Sequence, residues 1–548
     1  MKNTELRYAG QPAAPGVAAG PLVRRPVAAS PDRPAGGTPA EECARLTRAM
    51  ADAVAELRAL AGREGGDAAA VLEFQIEMLN DSALSAPALA AIAAGDSAHD
   101  AWLACMTEHI ANYRSSTDEH FRARATDCED MRDRVARLMA GRHEDRAWLP
   151  EGAILLDTDL TPSRFLALNA ARLGGLALIN GSAASHVAVL ARARGVPMIC
   201  GIGREPAQAA AAILDAETGE LVLNPTQATA EECARRIARR RRAASSAHAA
   251  MAGDAVTEDG ERVAVLVNVD EPDAVPDDVL RAADGVGLVR TESVFLDGEE
   301  PLDEAAQYRH YAALLARVGD GPCVFRTLDV GGDKPLPGLA EVPERNPFLG
   351  IRGIRLCLDR PELFRPQIRA LLRLAVDGRV SVMLPMVSVA EEYRDARALF
   401  DECLADLRAE GVAAAMPPLG IMIETPAAAI AIDTFGADFY SIGSNDLTQY
   451  TMAAARDGGG RVASLNRPGS VAMLRLIAHV VRHGRDTGRE VSLCGDAGSN
   501  PTVLRALLAT GLRRLSVAPS ALGHVKQCIR QLRILDGDET GRNEQQDG

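Results

Sequence analysis

Between residues 262 and 494, short apolar runs keep ending in residues able to do chemistry. Arg290 closes GVGLVR, Arg326 closes CVFR and Lys334 follows LDVGG. Glu424 ends GIMIE, Asn445 and Asp446 follow YSIGS, and Cys494 ends VSLC. Arg352 lies in NPFLGIRGIR, and Arg456 follows TMAAA. Singly, each arginine reads as a surface residue. As a set they do not, because scattered surface charge would not keep falling just after apolar runs. Forked guanidinium donors bind phosphate and carboxylate oxygens in pairs. Glu424 and Asp446 are hard oxygen donors, and two carboxylates with a substrate phosphate are the usual coordination set of Mg2+. The set points to a small, strongly anionic, phosphorylated substrate held with a metal ion. Simple pairing of the two acids with the arginines is the plainer alternative.

A second constellation lies in Gly181-Ser182-Ala183-Ala184-Ser185-His186-Val187-Ala188. A glycine turn leads into a helix, with Ser185 suited to the N-cap and His186 in the first turn. The positive helix end disfavours an imidazolium, so the ring stays neutral and nucleophilic, and it would stabilise a phosphate carried there. A lone histidine is more often structural. The other nine histidines lack such a setting.

These residues need elements to hold them. The runs RVAVLVNVD, GVGLVRTE, CVFRTLDVGG, VSVMLPMVS, GIMIETP, DFYSIGSND and VSLCGDAG alternate with helical segments from 262 to 530. About 270 residues of repeated β–α units match a (β/α)8 barrel, whose active sites sit at the C-terminal strand ends. Counting NPFLGIRGIR as a further strand end, Arg456 follows the seventh strand and Cys494 the eighth. An open doubly wound sheet is the other arrangement of such units. Upstream, residues 152–224 read as a compact α/β unit. Pro15-Gly16 and Gly20-Pro21 read as turns around a short strand. From Thr38 to Gly141 the texture is helical, with stripes at Leu46, Met50, Val54 and Leu57, at Leu72, Ile76 and Leu79, and at Met131, Val135 and Leu138. Residues 229–251 contain no glycine or proline and read as a long connecting helix, with Arg239 to Arg242 a solvated face.

Composition narrows the classes. At 548 residues the prior is three to four domains. A formal net charge of −15 disfavours non-specific nucleic-acid binding. No run of apolar residues is long enough to span a membrane, and MKNTELRYAG lacks the apolar core of a secretory signal. The ten cysteines form no CxxC pair, which suggests reduced thiols in cytosol.

In PGVAAG, DLTPS, ASHVAVLARARGVP, FRTLDVGGDKPL, NPFLGIRGIR, GIMIETPAAA, YSIGSNDLTQYTMAAAR and LCGDAG, the chain resembles Enzyme I of the bacterial phosphotransferase system, a PEP-utilising family. The resemblance covers residues 13–535 in the family's order. It implies a multidomain α/β protein: a swivelling phosphohistidine domain over 1–37 and 143–225, a helical insertion over 38–142 that docks the carrier HPr, a linker helix over 226–260, a phosphoenolpyruvate-binding barrel over 261–535 and a disordered tail over 536–548. It implies that His186 carries the phosphoryl group. Arg290 and Arg326 would hold that group with help from Arg352 and Lys334. Glu424 and Asp446 would ligate Mg2+, Asn445 and Arg456 would hold the substrate carboxylate, and Cys494 would donate a proton. A cytoplasmic homodimer is also implied. Pyruvate phosphate dikinase and phosphoenolpyruvate synthase share the swivel and barrel but need an ATP-grasp domain, for which no segment remains. A regulatory paralogue or a decayed scaffold is the reading from another class. Three positions depart from the family pattern, where Ala184, Ala455 and Asp496 stand for Thr, Asp and Glu.

Overall fold

The computed structural model describes residues 4–24, 37–61, 66–114, 119–141, 149–183, 185–295, 303–331, 346–455 and 462–534. Lys334, Arg456, Ala184 and the tail lie outside them. Two compact units meet in the chain between Arg242 and Ala243.

The first unit holds an eight-stranded mixed sheet. Its order is β1 (Leu6–Ala9), β8 (Glu220–Leu223), β7 (Ala211–Asp215), β3 (Val17–Arg24), β4 (Ala153–Asp157), β5 (Leu173–Leu178), β6 (Met198–Cys200) and β2 (Gln11–Ala14). The strands from β3 to β6 pair in parallel. The Gly20-Pro21 pair does not turn the chain; β3 runs through it. A Cβ at Gly20 would sit on the carbonyl oxygen of Gly152, so the glycine permits a close backbone approach.

Between β3 and β4 the chain forms α1 (Pro39–Ala61), α2 (Gly66–Asn80), α3 (Ser82–Ala93), α4 (Ala98–Arg114) and α5 (Glu119–Met139). The stripes read from the sequence supply their core. Leu46, Val54, Leu57, Leu72, Ile76, Met131 and Val135 are buried around Trp102 and Met106. The same cluster takes in Leu155, Phe165 and Val187, so bundle and sheet share one core. A buried polar seam joins them as well. Asp130 accepts from Thr161 Oγ1 at 2.9 Å, from Gln75 Nε2 at 3.2 Å and from the Ser163 amide at 3.3 Å. Helix α6 (Pro162–Ala167) follows β4, and α7 (His186–Ala193) follows β5. The helix Gln227–Ala250 spans the boundary between units. Its Arg236 and Arg240 pair with Asp215 and Glu217, and Arg239 and Arg242 are exposed, as a solvated face requires.

The second unit is a closed parallel barrel. Strands β10 (Arg262–Val269), β11 (Val286–Arg290), β12 (Cys323–Arg326), β13 (Val380–Leu384), β14 (Leu419–Ile423), β15 (Phe439–Gly443), β16 (Glu490–Cys494) and β17 (Arg514–Val517) pair in turn, and β17 returns to β10. A short β9 (Ala255–Val256) adds antiparallel to β10. Val263, Val265, Val267 and Val269 join the core between strands and helices. Leu288, Met383, Met422 and Cys494 form a separate cluster, as expected of inward-facing residues in a barrel. The strand count differs from the sequence reading in one respect. NPFLGIRGIR is no barrel strand. It contributes a single bridge, Gly331 to Arg352, and then enters the helix Ile354–Asp359. Cys494 therefore ends the seventh strand, and the eighth is RLSV at 514–517. Among the described residues no helix is long and apolar enough to cross a membrane.

Candidate active site

The C-terminal strand ends of the barrel gather Arg290, Arg326, Arg352, Glu424, Asn445, Asp446 and Cys494 around one cavity of about 180 Å³. Arg290 and Arg326 are the last residues of neighbouring strands and lie opposite each other in register. A buried amide ties these strand ends. Gln367 Nε2 donates to Thr291 Oγ1 at 3.0 Å, Thr291 donates to the Arg326 carbonyl at 3.0 Å, and Gln367 Oε1 accepts from the Leu328 amide at 2.9 Å. Arg352 reaches the mouth by a different route. At Gly331, with φ +101°, a Cβ would collide with the Ile351 carbonyl. Only glycine lets the two loops touch there and bring Arg352 inward.

Acids already hold the arginines in place. Asp329, fully buried, takes Arg352 in two bonds of 2.9 and 3.0 Å and Arg326 at 3.0 Å. Glu292 holds Arg326 at 2.7 Å, and Asp446 lies 3.2 Å from Arg352. Arg290 faces Asp270 at 3.4 Å. Burial alone works against the Arg326 charge, but Glu292, Asp329 and Glu424 outweigh it and keep the guanidinium more firmly protonated than usual. The same balance, led by Asp329, holds for Arg352.

The plainer alternative is thus partly realised, since Asp446 does pair with Arg352. Glu424 is another matter. Its Oε2 accepts the Met386 amide at 2.7 Å, offered by a backbone at φ +57°. Burial, then Asp446 and Asp329, push its carboxyl up to about 8. This is crowded acid that a cation would relieve. Among the described residues no three His, Cys, Asp or Glu form a cage. Glu424 and Asp446 would therefore need substrate oxygens to complete a hard divalent ion's shell, and their chemistry fits one.

Cys494 is buried against Leu288, Met383 and Met422, and burial pushes its thiol up to about 11. It is a protonated thiol lining the cavity. Asn445 is fixed by Asp496, which donates its amide to Oδ1 at 3.0 Å and accepts from Nδ2 at 3.3 Å. Aspartate thus reaches Asn445 at the position where the family pattern has glutamate.

In the first unit, Ser185 caps α7 by accepting from the Ala188 amide at 3.3 Å, and His186 is the first helical residue. The His186 side chain is 30% exposed, so the ring is reachable. Its Nδ1 lies 3.5 Å from the carboxylate of Asp127, buried on α5. A carboxylate there favours the proton on Nδ1 and leaves the Nε2 lone pair as the nucleophile.

Three family models match the chain in succession: PEP-utilising enzyme, N-terminal, over 9–124; its mobile domain over 149–219; and its PEP-binding domain over 244–534. The chain belongs to the PEP-utilising enzyme family. Curated members similar to it are named phosphoenolpyruvate-protein phosphotransferase. One from Haloferax volcanii is 39% identical over 487 residues, 87% of this chain and 84% of that protein. One from Staphylococcus carnosus is 34% identical, covering 85% and 83%, and one from Geobacillus stearothermophilus is 35% identical, covering 90% and 87%. Asp329 and Glu292 are site residues that the sequence reading does not include. Their signal was spacing, since each follows a mouth arginine by two or three positions, in RTE and RTLD.

Proposed function

We propose that this chain is a phosphoenolpyruvate–protein phosphotransferase that takes the phosphoryl group onto His186 and passes it to HPr or an HPr-like carrier. The observation that carries this reading is one cavity lined by three arginines, three carboxylates and a thiol, in a chain that also presents a partly exposed histidine at a helix start. Phosphoryl transfer needs charge neutralised on the moving oxygens and a nucleophile in line. Arg290, Arg326 and Arg352 supply the first, with Lys334 assisting. Asn445 and Arg456 hold the substrate carboxylate. Glu424 and Asp446 would hold Mg2+. Bound there, the ion would offset negative charge on the phosphoryl oxygens. His186 Nε2 attacks phosphorus, and the enolate left behind takes the Cys494 proton at carbon to become pyruvate. The phosphohistidine then faces the carrier docked on the helical insertion, a domain swing of the hinge kind. We assign the swivel to 1–37 and 143–225, the insertion to 38–142, the linker to 226–260 and the barrel to 261–535. The enzyme acts in the cytoplasm as a homodimer through the barrel. A decayed scaffold is not favoured, because each required side chain that the structure describes is present.

Incubation with ³²P-phosphoenolpyruvate and Mg2+ tests the reading. The chain is expected to take up label in an acid-labile, alkali-stable bond and to lose it to HPr. No label, or label resistant to mild acid, overturns it. The ion should also compete with a proton. Burial and the neighbouring Asp446 and Asp329 raise the Glu424 carboxyl and favour its protonated form, so divalent affinity should weaken as pH falls, by up to about tenfold per unit. Calorimetry in buffers of different ionisation enthalpy should show close to one proton released near neutrality.

A further inference from the structure

We infer that Ser441 and Ser492 form a hydroxyl relay that returns a proton to Cys494 after each turnover. This rests on the proposed role of Cys494 as the acid that protonates the enolate. Ser441 Oγ is placed to donate to Cys494 Sγ at 3.7 Å, and Ser492 Oγ to Ser441 Oγ at 3.1 Å. The thiol's own hydrogen points on to the Ile442 carbonyl at 3.6 Å. Ser441 is fully buried on β15, while Ser492 on β16 is partly exposed. The chain thus runs from a partly exposed hydroxyl, through a buried one, to a thiol that is 2% exposed.

The apolar side of the thiol gives such a chain a purpose. Leu288, Met383 and Met422 pack around the thiol and offer it no donor. A thiolate left there without a donor would be a buried, unsolvated charge, which is costly. The Ser441 hydroxyl supplies the donor. In the step itself, the Sγ–H bond breaks and a C–H bond forms at the enolate carbon. The thiolate then takes the Ser441 proton, Ser441 takes that of Ser492, and Ser492 takes one from water. The net change is one proton taken from solvent per pyruvate formed. Both serines act through Cys494, so they are positioning residues.

The test separates proton transfer from phosphoryl transfer in the full chain. Enzyme, phosphoenolpyruvate, pyruvate and Mg2+ are brought to equilibrium in D2O, and deuterium entry into the pyruvate methyl group is followed by NMR. Single-turnover labelling of His186 is measured in parallel. Ser441→Ala should slow deuterium entry at least tenfold while labelling stays within twofold. Ser441→Thr, which keeps the hydroxyl, should restore it, and Ser492→Ala should give an intermediate loss with an unchanged melting temperature. Wild-type deuterium entry in both alanine variants would overturn the relay. So would parallel loss of labelling and deuterium entry in Ser441→Ala, which marks a structural role. Failure of the wild-type chain to label at all counts against the proposed function instead.

Discussion

His186→Ala protein is expected to accept no phosphoryl group from phosphoenolpyruvate or from phospho-HPr, with transfer falling at least about 10⁴-fold, the scale on which losing a nucleophile acts. The variant should otherwise be intact. His186 occupies the first position of α7, where alanine is a good helix former, and the Ser185 cap does not involve the ring. Stability should stay within about 1 kcal/mol of wild type. Phosphoenolpyruvate binding should survive, because every described residue lining the cavity belongs to the barrel. Rapid-quench labelling and titration calorimetry on one preparation check both halves. Equal labelling of variant and wild type would sink the assignment. A related division follows for a fragment ending near residue 255, which should take phosphate from phospho-HPr but not from phosphoenolpyruvate.

The barrel and the bundle were legible because periodicity reports burial. Leu46, Val54 and Leu57 recur at helical steps and are buried together. Valines at alternate positions of 263–269 announced a strand packed on helices. What failed was local. β7 forms from AAILD at the end of an alanine-rich stretch, where small residues carry no period and no turn residue marks the start. The last barrel strand is four residues that start at the second arginine of a basic pair, and its apolar signal is too short to stand out. NPFLGIRGIR looked like a strand because its apolar residues are real, but its glycines and proline make a loop that touches Gly331 once.

The site divides along a similar line. The arginines, Glu424, Asp446 and Cys494 were visible because strand ends converge in a barrel whatever the loops do. The partners that fix them were not. Asp329 reads in the sequence as one more loop acid, and only folding puts both oxygens between two guanidinium groups. Asp127 lies 59 residues before His186 in a helix that the sequence presents as a separate insertion, yet the two meet at 3.5 Å. Spacing reports neighbours along an element, while such long-range pairs come from topology.

Asp329→Ala should therefore cost more than any single mouth arginine. Two buried guanidinium groups would lose the carboxylate that lies between them. Leaving buried charge uncompensated typically costs about 3–5 kcal/mol. Arg326 would keep Glu292 at 2.7 Å, and Arg352 would keep Asp446 at 3.2 Å, so the loss falls mainly on Arg352. Drawn further onto Asp446, Arg352 would compete with the divalent ion for that carboxylate. Both Mg2+ affinity and the KM for phosphoenolpyruvate should then worsen. Asp329→Asn separates the two effects. It keeps the shape and one acceptor oxygen, so it should recover much of the melting temperature but little of the metal affinity, because the charge is still missing. Thermal unfolding and metal titration of the two variants check this. If Asp329→Asn binds Mg2+ as wild type does, the carboxylate serves packing alone, and the arginines need no such pin.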